Sequence, residues 1–392
     1  MITVEDALRR IDEHTALGSK IEISLAEAYG YILAENVLAP ISMPPFRQSS
    51  MDGYALQWSE NKAYTVVGEV QAGIARNSAL QRGEAVRIFT GARVPDDADT
   101  VIIQEHTTRE AAVLNIDKMP PLKANIRPKG EQVQTGDLVL EEGTVLNEAA
   151  IGFLAGLGFH TVPVFEPPKV GILVTGNELQ QPGQPLREGQ IYESNSITLQ
   201  MALKCAGIPE VSLERVGDDL GETVNAVKKL LQNCDLLLIS GGISVGDYDF
   251  VQEALEKNEV HEVFYKINQK PGKPLWFGTQ GKKKVFALPG NPASSLTCFY
   301  VYVWPALRKI RGVKTYKTKE KTAKLETPIK NPFGKVLFLK ATVSDGEARQ
   351  LGAQASSMLK SFAICNALLI VPADKEVINP GEEIRYIALD QL

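Results

Sequence analysis

Cys234-Asp-Leu-Leu-Leu-Ile-Ser240-Gly-Gly-Ile-Ser-Val-Gly-Asp-Tyr-Asp249 is the stretch on which the fold turns. Residues 236–239 are all Leu or Ile. A run apolar on both faces suits a central strand of a parallel sheet, which is covered on each side. Gly241, Gly242 and Gly246 then leave the backbone free to curl and to approach a ligand closely. Loops behind the strands of an open α/β sheet are the usual ligand position. Backbone N–H groups in such a loop hold phosphate, and Asp247 and Asp249 offer oxygen ligands for a hard cation beside it. A glycine-rich structural turn has the same composition, so the loop alone does not name its ligand.

Outward from this segment, strand and helix patterns alternate. Strands are predicted over 170–174, 210–216, 263–267 and 284–287, with helices over 195–207, 222–232, 250–256 and 293–310. That alternation predicts a doubly wound α/β domain over 167–312. Upstream, Thr3 caps a helix over 3–15, and a second helix is expected over 25–37, interrupted near Gly30. The Pro- and Ser-rich segment 40–54 predicts an extended crossing. Short β-like runs at 64–67, 85–89, 100–104 and 112–116 predict a small all-β unit over 46–137. Helix returns over 147–157, with Asn147 as cap and Gly158 as stop. The β unit therefore reads as inserted into a discontinuous N-terminal domain, 1–45 with 138–166. A lysine-rich link at 314–321 reads as a solvated linker or edge strand. Alternation at 335–343, 367–371 and 383–387 predicts a C-terminal β-barrel over 315–392.

Bulk properties agree with a multidomain globular chain. At 392 residues it exceeds one typical core, and 44% hydrophobic with 23% charged residues is ordinary globular composition. A net charge of −5 argues against a general nucleic-acid binder. The four cysteines form no C-x-x-C pair and the four histidines show no zinc spacing. No signal-peptide core opens the chain and no apolar run is long enough to span a membrane. The expectation is a soluble, cytoplasmic protein with no nucleic-acid or membrane partner.

Three further segments fall at predicted strand ends. Lys266-Ile-Asn-Gln-Lys270-Pro-Gly-Lys273-Pro places three cations on a rigid turn, as point charges for phosphate or as a basic turn in solvent. Leu288-Pro289-Gly290-Asn291-Pro292-Ala-Ser294-Ser295 reads as a strand, a turn and a helix start. Its N–H groups, helix dipole and hydroxyls suit an anion. Val174-Thr-Gly-Asn-Glu178-Leu carries an acid. With Asp218, Asp219, Asp247 and Asp249 it supplies a candidate carboxylate cluster for Mg²⁺. Asp218 and Asp219 also precede a helix and are candidate caps.

Six segments in order then resemble a known family: Ser50-Met-Asp-Gly-Tyr-Ala55, Arg87-Ile-Phe-Thr-Gly-Ala-Arg-Val-Pro95, Val174–Leu179, Ser240–Gly246, Lys270-Pro-Gly-Lys-Pro274 and Leu288–Ser295. The chain resembles the molybdopterin molybdenumtransferases, the bacterial counterparts of the C-terminal domain of gephyrin. The resemblance implies a molybdopterin-binding α/β domain, an inserted β domain and an elongated homodimer whose cleft draws on both subunits. It implies insertion of molybdenum from molybdate into adenylylated molybdopterin with Mg²⁺ and release of AMP. It also implies a molybdopterin adenylyltransferase and molybdoenzyme chaperones as partners. Carried over, Asp52 and Thr90 look like the β domain's contribution to the cleft. Glu178, Asp218 and Asp249 look like the catalytic and metal-holding acids. Lys266, Lys270 and Lys273 look like phosphate-binding cations. Gly241, Gly242, Ser244, Gly246, Pro289, Gly290, Asn291, Pro292 and Ser294 look like the ligand cradle, with Lys340 and Ser356 at the molybdate site.

The chain departs from the family pattern at Asn177 and Gln132, where Asp is usual, at Lys340, where Arg is common, and at Arg47-Gln48, where Asp-Asn is frequent. Rival readings are a non-catalytic molybdopterin-binding scaffold, a tungstate-preferring paralogue and a stand-alone adenylyltransferase. The last would not need residues 1–165 or 315–392.

Overall fold

The computed structural model describes residues 1–74, 79–243 and 250–389. Six strands make the central sheet: β1 (Val170–Thr175), β2 (Val211–Val216), β3 (Leu236–Ser240), β4 (His261–Tyr265), β5 (Trp276–Gln280) and β6 (Lys283–Leu288). Their order is β2-β1-β3-β6-β5-β4. The first four run parallel, and β5 is antiparallel to both neighbours. Every residue of β1 and β3 is buried, the pattern expected of strands covered on both faces.

Two apolar clusters supply that cover. One joins Ile172 and Leu238 to Leu199, Phe299 and Leu307, and the other joins Leu173 and Leu237 to Val227, Leu230 and Leu255. The doubly wound reading therefore holds. The chain leaves β1 for β2 on one side and returns to β3 on the other. The switch point lies between β1 and β3, where an open sheet of this kind leaves a crevice.

Two features of the α/β domain escape the sequence pattern. Strand β5 forms a hairpin with β6 through Gly281, whose φ is +58°. Trp276 and Phe277 are buried in it. The predicted helix over 293–310 is Pro292–Cys298, then a π turn at Phe299–Val303, then Trp304–Ile310. Pro305 lacks the N–H that an unbroken α-helix would use, and the wider turn falls just before it.

The helix expected over 25–37 is absent apart from one 3-10 turn, Leu25–Glu27. Gly30 takes φ +77°, and Ile32 and Leu33 make isolated bridges to Val145 and Val164. Leu25, Leu33 and Val37 share a core with Leu146, Leu154, Val162 and Val164. That core rewards extended pairing over helical propensity, which is a weak preference.

Lys20–Ser24 pairs antiparallel with Thr161–Phe165, bracketing the intervening β unit. The helix between, Glu148–Gly156, is capped as expected: Ala150 N–H donates to Asn147 Oδ1 at 2.8 Å. The inserted unit is a six-stranded sheet running from Thr100–Ile103 through Gly53–Leu56, Glu84–Ile88, Ala63–Val70 and Val113–Ile116 to Thr107–Glu110. The first helix, Val4–Glu13, leaves its own sequence neighbours and packs on the α/β core through Val4, Ala7 and Ile11. Lys309 Nζ and the Tyr316 hydroxyl both donate to Asp12 Oδ1, at 2.6 and 2.8 Å, fastening its end.

The C-terminal strands close on themselves. Val336–Ser344, Glu347–Gln350, Glu320–Leu325, Glu383–Ala388 and Ala367–Val371 form a ring that returns to Val336–Ser344, a five-stranded barrel. Gln269–Lys270 of the α/β domain adds to its edge, parallel to Val336–Leu337. No helix among the described residues is long and apolar enough to cross a membrane.

Candidate functional site

A cleft of about 620 Å³ opens at the carboxyl ends of β1, β3 and β6, the position the switch point predicts. Each strand contributes its loop. After β1, Gly176 has φ +148°, and a Cβ there would lie 2.7 Å from the Glu178 carboxylate. Glycine lets that exposed acid fold back over the turn. Next to it, Asn177 N–H donates to Asp218 Oδ2, and Asp218 N–H donates to Asn177 Oδ1, both at 3.1 Å. Asn177, one of the departures, thus fixes the loop that presents Asp218. Glu178 and Asp218 both line the cleft. Asp219 does not; it accepts from Glu222 N–H at 2.8 Å and caps the helix Leu220–Asn233.

After β3, Gly241 and Gly242 take φ +98° and +61°. A Cβ on Gly241 would lie 2.7 Å from the Thr175 carbonyl oxygen, and one on Gly242 would lie 2.8 Å from Thr175 Oγ1. Their missing side chains let the β1 and β3 loops meet. Ser244, Gly246 and Asp249, with Asp247, lie outside the described residues.

After β6, Pro289, Gly290, Asn291 and Pro292 line the same cleft. Pro292 opens its helix without losing a hydrogen bond, since first-turn N–H groups have no intrahelical partner. Ser294 N–H donates to the Ser356 carbonyl at 3.1 Å. The helix start is therefore joined to the C-terminal domain, whose Ser357 lines the cleft. Thr175 Oγ1 and Ser295 Oγ are buried without a hydrogen-bond partner among the described residues.

Asn195 is a residue that the sequence reading missed. As the first residue of the helix Asn195–Cys205, its amide donates to Ser240 Oγ at 2.8 Å and to the Gly290 carbonyl at 2.7 Å. It ties the ends of β3 and β6 together. The signal was the run Glu193-Ser-Asn-Ser196, a helix start behind β1. Glu193 is buried beneath it, accepting from both the amide and the hydroxyl of Ser196.

The lysines stand apart. Lys266 has φ +68° and sets its ammonium 4.4 Å from the Tyr265 ring centre, while the Tyr265 hydroxyl donates to the Ile243 carbonyl. Lys270 is exposed and lies 3.5 Å from the Phe333 ring centre, on the barrel side. Lys273 is exposed, and the cleft wall at this turn is Pro274. Lys340 is buried and donates to the carbonyls of Ala353 at 3.0 Å, Met358 at 3.1 Å and Ala355 at 3.5 Å. Burial pushes its pKa below the ordinary lysine value.

Asp52 and Thr90 meet on the inserted sheet. Thr90 donates twice to Asp52 Oδ1, from N–H at 2.7 Å and from Oγ1 at 2.8 Å. These bonds, the backbone one foremost, hold the carboxyl below its ordinary 3.8. Arg87 braces the neighbouring strand, donating to the Gly53 carbonyl and lying over Tyr54 and Phe89. The pair does not line the strand-end cleft of its own chain. An NMR titration of Asp52 is expected to give a midpoint below 3.8. Thr90→Val should raise that midpoint only part of the way, because the backbone donor remains.

Among the described residues no three His, Cys, Asp or Glu side chains gather to hold a metal ion. Glu178 and Asp218 nonetheless give one cleft two hard oxygen donors. Magnesium commonly takes one or two carboxylates and completes its shell with water and substrate phosphate. The donor set fits that ion.

Three family models match the chain in order: MoeA N-terminal region (domain I and II) over residues 2–158, a probable molybdopterin binding domain over 171–309, and MoeA C-terminal region (domain IV) over 322–389. The chain is similar to the molybdopterin molybdenumtransferase of Haemophilus influenzae, 34% identical over 98% of each chain. It is also similar to molybdopterin molybdenumtransferase 2 of Mycobacterium tuberculosis, 33% identical over 98% of this chain and 99% of that one. Its structure resembles a crystal structure of the molybdopterin biosynthesis MoeA protein from Pyrococcus horikoshii OT3, with TM-score 0.80, 30% identity and coverage of 99% and 100%.

Proposed function

The chain belongs to the MoeA family, and from that premise we propose that it is a molybdopterin molybdenumtransferase. In this reading it inserts molybdenum from molybdate into adenylylated molybdopterin and releases AMP. The observation that carries the reading is the strand-end cleft, where glycine-loop amides, two acids and the Pro289–Pro292 turn converge. Its volume suits a small-molecule ligand.

The residues divide the work by position. The Gly242 amide, with the turn at Gly290 and Asn291, holds substrate phosphate, while the Gly241 N–H donates to the Leu288 carbonyl. Thr175 Oγ1, which has no protein partner among the described residues, is free to donate there. Lys266, Lys270 and Lys273 add positive charge at the turn behind the cleft. Ser356 faces molybdate from the barrel side. Glu178 and Asp218, together with Asp249, would hold magnesium, which when bound would supply charge neutralisation at the AMP phosphate. Two sulfur–molybdenum bonds form while one molybdate oxygen leaves as water with the two thiol protons, and a water molecule cleaves the phosphoanhydride, releasing AMP and leaving the terminal phosphate on molybdopterin. The protein's part is positioning and electrostatics.

Asp52 and Thr90 enter this scheme from the second subunit of a homodimer, since they do not line their own chain's cleft. Substrate comes from an adenylyltransferase, and the labile product passes to molybdoenzyme chaperones. The test incubates purified protein with adenylylated molybdopterin, Mg²⁺ and molybdate or tungstate. AMP release coupled to reconstitution of an apo-molybdoenzyme is the expected result with molybdate. Molybdopterin binding without AMP release would replace the transferase with a scaffold.

A further inference from the structure

Lys340 sits in the barrel strand Val336–Ser344 with 2% of its surface exposed. An ammonium has three donors and no acceptor. All three are taken by carbonyls of one loop, those of Ala353, Ala355 and Met358. An oxyanion that bound this nitrogen would have to displace those carbonyls. The same loop is clasped a second time. Lys340 N–H donates to Gln354 Oε1 at 3.0 Å, and Gln354 Nε2 donates back to the Lys340 carbonyl at 2.7 Å. Ser361 Oγ adds a bond to the Ala353 carbonyl at 2.8 Å.

The clasped loop reaches outward at the cleft. Ser356 accepts the Ser294 N–H in the first turn of Pro292–Cys298, and Ser357 forms part of the cleft wall. Three carbonyl dipoles pointing at one spot repel one another unless a cation lies between them. Removing it leaves the Ala355 carbonyl without this donor and the Ala353 and Met358 carbonyls with Ser361 Oγ alone.

We propose that Lys340 is a positioning residue: it clamps the 353–358 loop onto the helix start through Ser356 and so sets the Ser357 wall of the cleft, without touching the oxyanion itself. The inference rests on the proposed transferase reading for its link to molybdate. The clamp itself does not need that reading.

Amide hydrogen exchange without substrate, binding of molybdate alone by calorimetry, and KM and kcat for AMP release are measured on four proteins. They are wild type, Lys340→Met, Lys340→Arg and Gln354→Ala. Lys340→Met is expected to speed exchange across 353–358 and to weaken molybdate binding about tenfold, the effect of losing a little over 1 kcal/mol. Its molybdate KM rises in parallel while kcat changes little. Lys340→Arg restores both, since a guanidinium also carries donors for the carbonyls. Gln354→Ala keeps the ammonium yet loosens the same loop and weakens molybdate binding. It keeps the test readable if Lys340→Met does not fold. Weaker molybdate binding with unchanged loop exchange would mean direct contact with the anion and overturns the proposal. Faster loop exchange with unchanged molybdate binding overturns it equally. A wild-type protein that releases no AMP defeats the transferase reading instead, and exchange with calorimetry still decides the clamp.

Discussion

Glu178→Gln is expected to cut AMP release by at least about a hundredfold, the usual scale for losing one aimed electrostatic group in a closed site. The melting temperature should stay at the wild-type value. Both expectations come from the same geometry. Glu178 is exposed at the end of β1, so no buried partner is left unpaired when its charge is removed. The amide has the carboxylate's shape, so the fold-back over Gly176 survives. What disappears is one negative charge at the cleft, beside Asp218. Binding of the adenylylated substrate should change by only a few-fold, since in the proposed reading loop amides and cations, rather than Glu178, hold its phosphates. Isothermal titration and a discontinuous AMP assay on the same preparation separate the two effects. Wild-type turnover in Glu178→Gln would remove this carboxylate from the metal-holding role.

The parts of this molecule that could be read from sequence are those whose physics is local. The run at 236–239 is apolar at every position because both faces of β3 are covered. In a chain of alternating strands and helices, four such residues in a row mark a strand at the middle of its sheet. The glycines behind it were legible for the same reason: φ values of +98° and +61° are positions that side chains resist. Capping by Thr3 and Asn147 was legible because a cap bonds within three residues of itself.

Long-range causes were hidden. The stretch over 25–37 has helical periodicity, but its apolar residues belong to a core completed by Leu146, Leu154, Val162 and Val164, more than a hundred residues away. Strand β5 was concealed because its partners lie in a hairpin that the prolines at 271 and 274 obscure. At the site, position alone leaves Asp218 and Asp219 alike; the resemblance singles out Asp218, and in the structure Asp218 faces the cleft whereas Asp219 caps a helix. Asn195 and Lys340 were harder. An Asn at a helix start reads as a cap, and the resemblance alone assigns Lys340 to the molybdate site, with no sign of its bonds to the 353–358 loop. Their bonds, to Ser240 and Gly290 in one case and to a loop 13 to 18 residues away in the other, exist only after folding.

Gly241→Ala is expected to destabilise the protein by about 3 kcal/mol and to abolish ligand binding in the cleft. Two costs combine at this position. The φ of +98° is strained for any residue with a side chain. A Cβ there also lies 2.7 Å from the Thr175 carbonyl oxygen and 3.0 Å from Thr175 Oγ1. A carbonyl within β1 cannot yield as a flexible side chain would, since it belongs to the strand beside β3. The loop behind β3 must therefore move away from β1, which distorts the cleft that both loops line. Gly183 separates the two costs. Its φ of +88° is similar, yet a Cβ there has nothing within 4 Å. Alanine at Gly183 should cost about 1 kcal/mol, from backbone strain alone, and leave substrate binding intact. Urea unfolding and calorimetric titration of the two variants give the comparison. Equal losses at both positions would assign the effect to φ, and would leave the close approach of the β1 and β3 loops with no part in building the cleft.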